Sequence, residues 1–200
     1  MHYYIFNKPT GCVTARTDAV HRTVMDYFPE ELAGVLHPVG RLDKDTCGML
    51  ILTDDGDLDF RIMQPSKHVS KTYFFYAIGT MTEEKKILLE GGVPMSGTVT
   101  RPAELQMERV WRIGDLEKFM PPDRRERYMK NPEGPAFSAR LTIHEGKKHE
   151  VRRMLETAGC RIFYLRRESI GRLRLDESLA PGEYRPLTEA ELARIDEILK

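Results

Sequence analysis

The hydrophobic and polar positions along the chain predict a mixture of strands and helices without a regular repeat. YYIF at 3–6 reads as a strand, and NKPTG at 7–11 ends it because Pro and Gly impose a turn. TVMDYF at 23–28 fits a short helix stopping before Pro29, and GMLILT at 48–53 is an apolar run of strand length. DDGDLDFRIM at 54–63 reads as a turn into a helix, with Asp at its start and Pro65 beyond its end. SKTYFFYAIG at 70–79 is rich in aromatic and β-branched residues and predicts a strand. TEEKKILLEGG at 82–92 predicts a helix with Thr82 as N-cap and Gly after its end. AELQMERVWRI at 103–113, AFSARLTIHE at 136–145 and RIFYLRR at 161–167 predict strands; KKHEVRRMLETAG at 147–159 and TEAELARIDEILK at 188–200 predict helices. Residues 114–135 break the rhythm with four prolines, two glycines and many charges, which predicts a long loop or mobile excursion. The whole, residues 1–200, reads as a single α+β domain on a largely antiparallel sheet.

Composition narrows the class without naming a chemistry. The 200 residues suffice for one domain with a real core, and 40% hydrophobic against 31% charged residues is an ordinary globular balance. No apolar stretch approaches the ~20 residues that span a bilayer, and the N-terminus lacks the pattern of a signal peptide. Three widely spaced cysteines, Cys12, Cys47 and Cys160, argue against a disulfide framework or a zinc knuckle and suit a reducing cytoplasm. His144 and His149 straddle a strand-to-helix junction, a poor arrangement for a metal. Charge is balanced at 31 basic and 31 acidic residues, but residues 144–174 hold nine Lys/Arg against four Glu, a local excess of five. That run is either a solvated surface or an electrostatic footprint for a polyanion.

Six aspartates surround GMLILT: Asp43, Asp45, Asp54, Asp55, Asp57 and Asp59. Asp55, Asp57 and Asp59 share the first spacings of a calcium loop, but its sixth position is Phe60 rather than Gly and its twelfth is Ser66 rather than Glu. Helix-cap chemistry explains them better: Asp54 and Asp55 cap, and Asp57 sits in the first turn. In RLDKD, an extended backbone would turn Asp43 and Asp45 one way and Leu42 and Lys44 the other. Arg41 and Lys44 flank Asp43 and favour its ionised form, which suits a nucleophile or electrostatic stabiliser; on this stretch alone a surface turn with local ion pairs is the better fit.

The helix near 148–159 carries Val151, Met154, Leu155 and Ala158 as one apolar stripe, with Gly159 as its stop. At about 100° per residue, Arg152 lies at the edge of that stripe, able to be half-buried and reach a pocket, while Arg153, Lys148 and His149 face outward. These cations either solubilise the helix, or Arg152 meets a buried acid and the rest touch phosphate.

KPTG at 8–11, GRLDKDTCGMLILTDDGDL at 40–58, KTY at 71–73, EGKKHEVRRM at 145–154 and LRRESIGRLRLDESLAPGEYRPLT at 165–188 occur in order. Together they resemble the ribosomal RNA pseudouridine synthase family, in the branch related to the small-subunit enzyme, over nearly the whole chain. The resemblance implies a pseudouridine synthase fold, with a central, mainly antiparallel sheet in two lobes and a catalytic cleft. It implies isomerisation of a uridine in ribosomal RNA, free or in a pre-ribosomal particle, with no metal or cofactor and by a cytoplasmic monomer. It assigns catalysis to Asp43 of RLD, Tyr73 of KTY and Arg152 of HEVRRM. It assigns substrate and RNA contacts to Lys8, Arg41, Lys147, Lys148, His149, Arg153, Arg166 and Arg167, and lining of the uracil pocket to Leu165. Relatives often carry a small S4-like RNA-binding domain before the catalytic part; here the chain starts almost at KPTG, so that module is expected to be absent or removed. Glu150 stands where the family usually has Gln. The resemblance leaves a ribosyl ester, a Michael adduct and a glycal route equally open, and large-subunit RNA as a second target. Two other classes compete: a non-catalytic RNA-binding assembly factor, and a magnesium-dependent nuclease built on the aspartates.

Overall fold

The computed structural model describes every residue except Ser96 and Lys200. In chain order the elements are β1 (Tyr3–Lys8), α1 (Glu30–Ala33), β2 (His37–Val39), β3 (Cys47–Thr53), α2 (Gly56–Met63), β4 (Lys71–Ile78) and α3 (Glu83–Gly91). There follow β5 (Pro94–Met95), β6 (Thr98–Val99), β7 (Glu104–Arg112), α4 (Pro122–Tyr128), β8 (Pro135–Ile143), α5 (Glu150–Thr157), β9 (Arg161–Ile170), β10 (Leu173–Arg174), β11 (Tyr184–Pro186) and α6 (Glu189–Leu199). The chain divides into two compact units, Met1–Lys71 with Arg166–Lys200, and Thr72–Leu165. The fold is α+β with a mainly antiparallel sheet.

In the first unit the strand order is β11, β1, β3, β9, with β2 also paired to β3 and β10 to β9. All these pairs are antiparallel except β3 with β9. Being central makes β3 apolar on both faces: six of its seven residues are buried. Ile5, Met49 and Ile51 pack with Leu58 and Ile62 of α2 and with Ile195 of α6. Asp55 caps α2 by accepting the N–H groups of Asp57 and Leu58, which stabilises the helix by about 1 kcal/mol. Asp54 instead accepts the backbone N–H of His2 at 2.6 Å, and Asp59 that of Gly40 at 3.2 Å. Expected as a capping pair, the two residues thus separate: Asp55 is the cap and Asp54 anchors the N-terminus.

Where β3 enters the sheet it runs parallel to β9, with Cys47 opposite Arg166 and Gly48 opposite Arg167. Gly48 has φ +101°, and a Cβ placed there would lie 2.3 Å from the Arg167 carbonyl oxygen. Only glycine permits this approach. Gly48→Ala is expected to cost about 2–3 kcal/mol through strain and a forced separation of the strands, lowering the thermal midpoint by roughly 5–10 °C in a circular-dichroism melt.

In the second unit the order is the first half of β9, then β4, β8 and β7. Phe75 and Ala77 of β4, Phe137, Ala139 and Leu141 of β8, and Val151, Met154 and Leu155 of α5 form its main core. A second cluster gathers Ile113, Leu116, Met120, Tyr128 and Phe163. This cluster corrects the reading of 114–135 as a long loop: Ile113–Phe119 is a 3-10 helix and Pro122–Tyr128 is α4. Pro122 is compatible with helix because it stands at the first helical position, where its missing N–H would have no partner anyway. TVMDYF also differs: Val24–Tyr27 is a 3-10 turn closed by a capping box from Thr23 and Asp26. The KKHEVRRM helix begins at Glu150 rather than near 148, after His149 in a left-handed conformation.

Candidate active site

Asp43 stands in a loop of the first unit that is fastened by its backbone. The segment is a turn, with the Thr46 N–H donating to the Asp43 carbonyl at 3.0 Å. This replaces the extended strand on which alternating faces were predicted: Leu42 is buried, Asp43 and Asp45 are half-buried, and Arg41 and Lys44 are exposed. The KPTG segment supplies the fastening. Lys8 is 0% exposed, and its ammonium donates to the carbonyls of Asp43 at 3.1 Å, Thr46 at 2.9 Å and Pro9 at 3.1 Å. Burial lowers the Lys8 pKa below the usual lysine value, opposed by nearby Cys12, Cys47, Asp43 and Asp45. Gly11 N–H donates to the Lys44 carbonyl at 2.8 Å, and the Thr14 hydroxyl both donates to the Leu42 carbonyl and accepts its N–H. Each of these bonds is made to backbone rather than to the Asp43 carboxylate.

Lys8 is therefore corrected from an RNA contact to a loop clamp, because a fully buried ammonium bonded to three carbonyls has no reach to phosphate. Its parity in β1 was a usable signal: it points the same way as buried Phe6. Arg167 is likewise corrected. It is 3% exposed and its Nε donates to the Met49 carbonyl at 2.8 Å, tying β9 to β3 from within. Arg166 is half-buried and paired with Glu168, while Arg172 and Arg174 are exposed.

In the second unit, Tyr73 is half-buried on β4 and packs against the main core. Leu165 is buried in that core. The face of α5 with Val151, Met154 and Leu155 is buried, which leaves Arg152 half-buried with its Nη1 donating to the Ile162 carbonyl at 3.3 Å. Arg153 is also half-buried, not outward as the helical spacing predicts, whereas Lys148 and His149 are exposed. Lys147 is half-buried, with its ammonium 3.1 Å from Glu145 and donating to the Val99 carbonyl at 3.2 Å. The buried acid Glu150 was not anticipated at all; a Glu beside His and two Arg reads as surface until its partner, Glu145, is known.

Among the described residues no group of His, Cys, Asp or Glu is arranged to hold a metal ion, and no helix is long and apolar enough to cross a membrane. The aspartates after β3 are accounted for by hydrogen bonds to backbone N–H groups and, for Asp57, by an ion pair with Arg61 at 3.5 Å.

Comparison with known proteins identifies the family and the fold. The family profile described as RNA pseudouridylate synthase matches residues 2–157. The chain is 40% identical to the RNA pseudouridine synthase YtzG of Bacillus subtilis (strain 168) over 197 residues, 98% of this chain and 73% of the relative. It is 37% identical to the ribosomal small subunit pseudouridine synthase A of Salmonella typhimurium (strain LT2) over 195 residues, 96% of this chain and 73% of the relative. A solved pseudouridylate synthase superposes with a TM-score of 0.80 at 35% identity, covering 97% of this chain and 73% of that one. A chain of an archaeal box H/ACA Nop10–Cbf5 complex shares the fold, with a TM-score of 0.56 at 14% identity. Fold, motif order and identity across nearly its full length thus agree, and the chain belongs to the RNA pseudouridylate synthase family.

Proposed function

We propose that this enzyme converts a specific uridine of small-subunit ribosomal RNA to pseudouridine, with Asp43, Tyr73 and Arg152 as its catalytic residues. The observation that carries the reading is the loop of Asp43, whose backbone a buried lysine fixes through the carbonyls of Asp43 and Thr46. The small-subunit target is supported by the similarity to the Salmonella ribosomal small subunit pseudouridine synthase A.

The reaction breaks the C1′–N1 bond, turns the base and forms C1′–C5; the C5 proton is lost and N1 gains one. A stacked uridine hides these atoms, so the nucleotide is flipped out before reaction. Asp43 acts as nucleophile or base toward the flipped nucleotide. Tyr73 stacks on the uracil and assists proton removal from C5. Arg152 is the basic member of the catalytic set, a half-buried cation on α5. Arg41, Lys147, Lys148, His149, Arg153 and Arg166 bind RNA, chiefly through phosphates, which positions the substrate without reading its sequence. Leu165 borders the uracil.

Mapping pseudouridines in cells lacking this protein tests the assignment. One small-subunit site should be lost and restored by the wild-type gene. Loss confined to large-subunit RNA overturns the choice of target, and an unchanged map overturns the ribosomal assignment.

A further inference from the structure

Helix α5 starts at a pair of carboxyl groups to which the catalytic reading gives no role. Glu150, its first residue, is 4% exposed, and its Oε2 accepts the Lys147 N–H at 2.7 Å. Its carboxyl also bonds to the carboxyl of Glu145. Glu145 is already well supplied with donors: Oε1 accepts the Arg101 N–H at 2.7 Å, and Oε2 faces the Lys147 ammonium at 3.1 Å. Ionised carboxylates only accept hydrogen bonds, so two carboxyls bond to each other only when one carries a proton.

The surroundings decide which one does. Burial first, then the Glu145 carboxyl, drives Glu150 up to about 7. At Glu145 the upward push of burial is outweighed by the Arg101 N–H, the Glu150 carboxyl and Lys147, and its pKa falls below the ordinary value. The charged groups around Glu150 are Glu145 and Lys147 of the preceding loop, the Arg101 backbone leading into β7, and its chain neighbours Lys148, His149, Arg152 and Arg153. His144 lies 3.8 Å from Glu104. The turn closed by this bond holds His149 at φ +54°, a conformation uncommon outside glycine that persists only where neighbours enforce it.

We propose that Glu150 is a positioning residue for pseudouridylation: its protonated carboxyl ties the start of α5 to Glu145, fixing the helix that carries Arg152 and Arg153, and its ionisation releases that tie. Two carboxylates would then face each other with the Lys147 ammonium beside Glu145, and like charges at hydrogen-bonding distance repel. The inference rests on the proposed roles of Arg152 and Arg153, and its test separates the two.

The full chain is assayed by tritium release from a small-subunit rRNA transcript labelled at uridine C5, across about pH 6 to 8.5. Wild-type turnover should fall roughly tenfold between about pH 6.5 and 8, since one unit above the midpoint leaves about a tenth of the acid protonated. Glu150→Gln keeps a donor in the same place without a proton to lose. It should match wild type near pH 6.5 and stay flat above it. In parallel, carbon NMR of labelled glutamate carboxyls should show one resonance, absent from Glu150→Gln, that titrates near neutrality. A Gln variant that follows the wild-type profile, or a Glu150 resonance titrating with the ordinary carboxylates, overturns the proposal. If wild type releases no tritium at any pH, the reaction assignment and with it the positioning role fall, while the resonance still decides where the proton resides.

Discussion

Asp43→Asn leaves a folded, RNA-binding protein that releases no measurable tritium from C5-labelled rRNA. A loss on the order of 10⁴-fold or more is expected, because the variant removes the ionised oxygen that serves as nucleophile or base and supplies nothing in its place. The substitution leaves the backbone bonds of the loop untouched. The loop is held through the carbonyls of Leu42, Asp43, Lys44 and Thr46 and the N–H groups of Leu42 and Thr46, all of them backbone. Exchanging one side-chain oxygen for an amide leaves those bonds in place. The thermal midpoint should therefore stay within about 2 °C of wild type, a surface-sized effect, and RNA affinity by filter binding within roughly threefold, less than the tenfold that 1.4 kcal/mol would bring. Retained turnover above about one percent of wild type, a barrier change under about 3 kcal/mol, would sink the assignment of Asp43.

Lys8→Met is expected to damage the same site from below. Methionine fills the space of the lysine stem but donates nothing, leaving the carbonyls of Pro9, Asp43 and Thr46 without the ammonium they share. Each hydrogen bond from a charged donor contributes about 1.5–3 kcal/mol, and relief from burying a charge offsets part of the loss, so a net loss of about 3–5 kcal/mol follows. The thermal midpoint should fall by roughly 10 °C or more. Turnover at a temperature where the variant is folded should fall about a hundredfold or more, because a loop free to shift by an ångström misplaces the carboxylate. If Lys8→Met melts with wild type and turns over normally, the clamp is not what positions Asp43. The two variants differ in kind: one removes the reacting group from an intact loop, the other loosens the loop beneath an intact group.

Local pattern was enough for much of this molecule. The apolar run of β3, the capped start of α2, the aromatic strand β4 and the stripe of α5 each follow from periodicity and cap chemistry, which act within a few residues. Ordered motifs then brought the family within reach, with Asp43, Tyr73 and Arg152 named for chemistry before any coordinates. The failures share one cause. Residues 114–135 read as loop because Pro and charge dominate locally, yet Leu116, Met120 and Tyr128 find a core with Phe163 of β9. Lys8, Arg167 and Glu150 read as surface charges, and each is buried. A charged side chain leaves water only when partners replace its hydration, and these partners lie far along the chain: the Asp43 loop for Lys8 and Met49 for Arg167. For Glu150 the pair with Glu145 is close in sequence, but the Arg101 N–H that helps make Glu145 the acceptor comes from another segment. Periodicity decides which face of an element is apolar; it carries no information about which distant carbonyl or carboxyl will meet a charge, and that meeting is what turned three apparent surface residues into the clamp, the strand tie and the helix anchor of this enzyme.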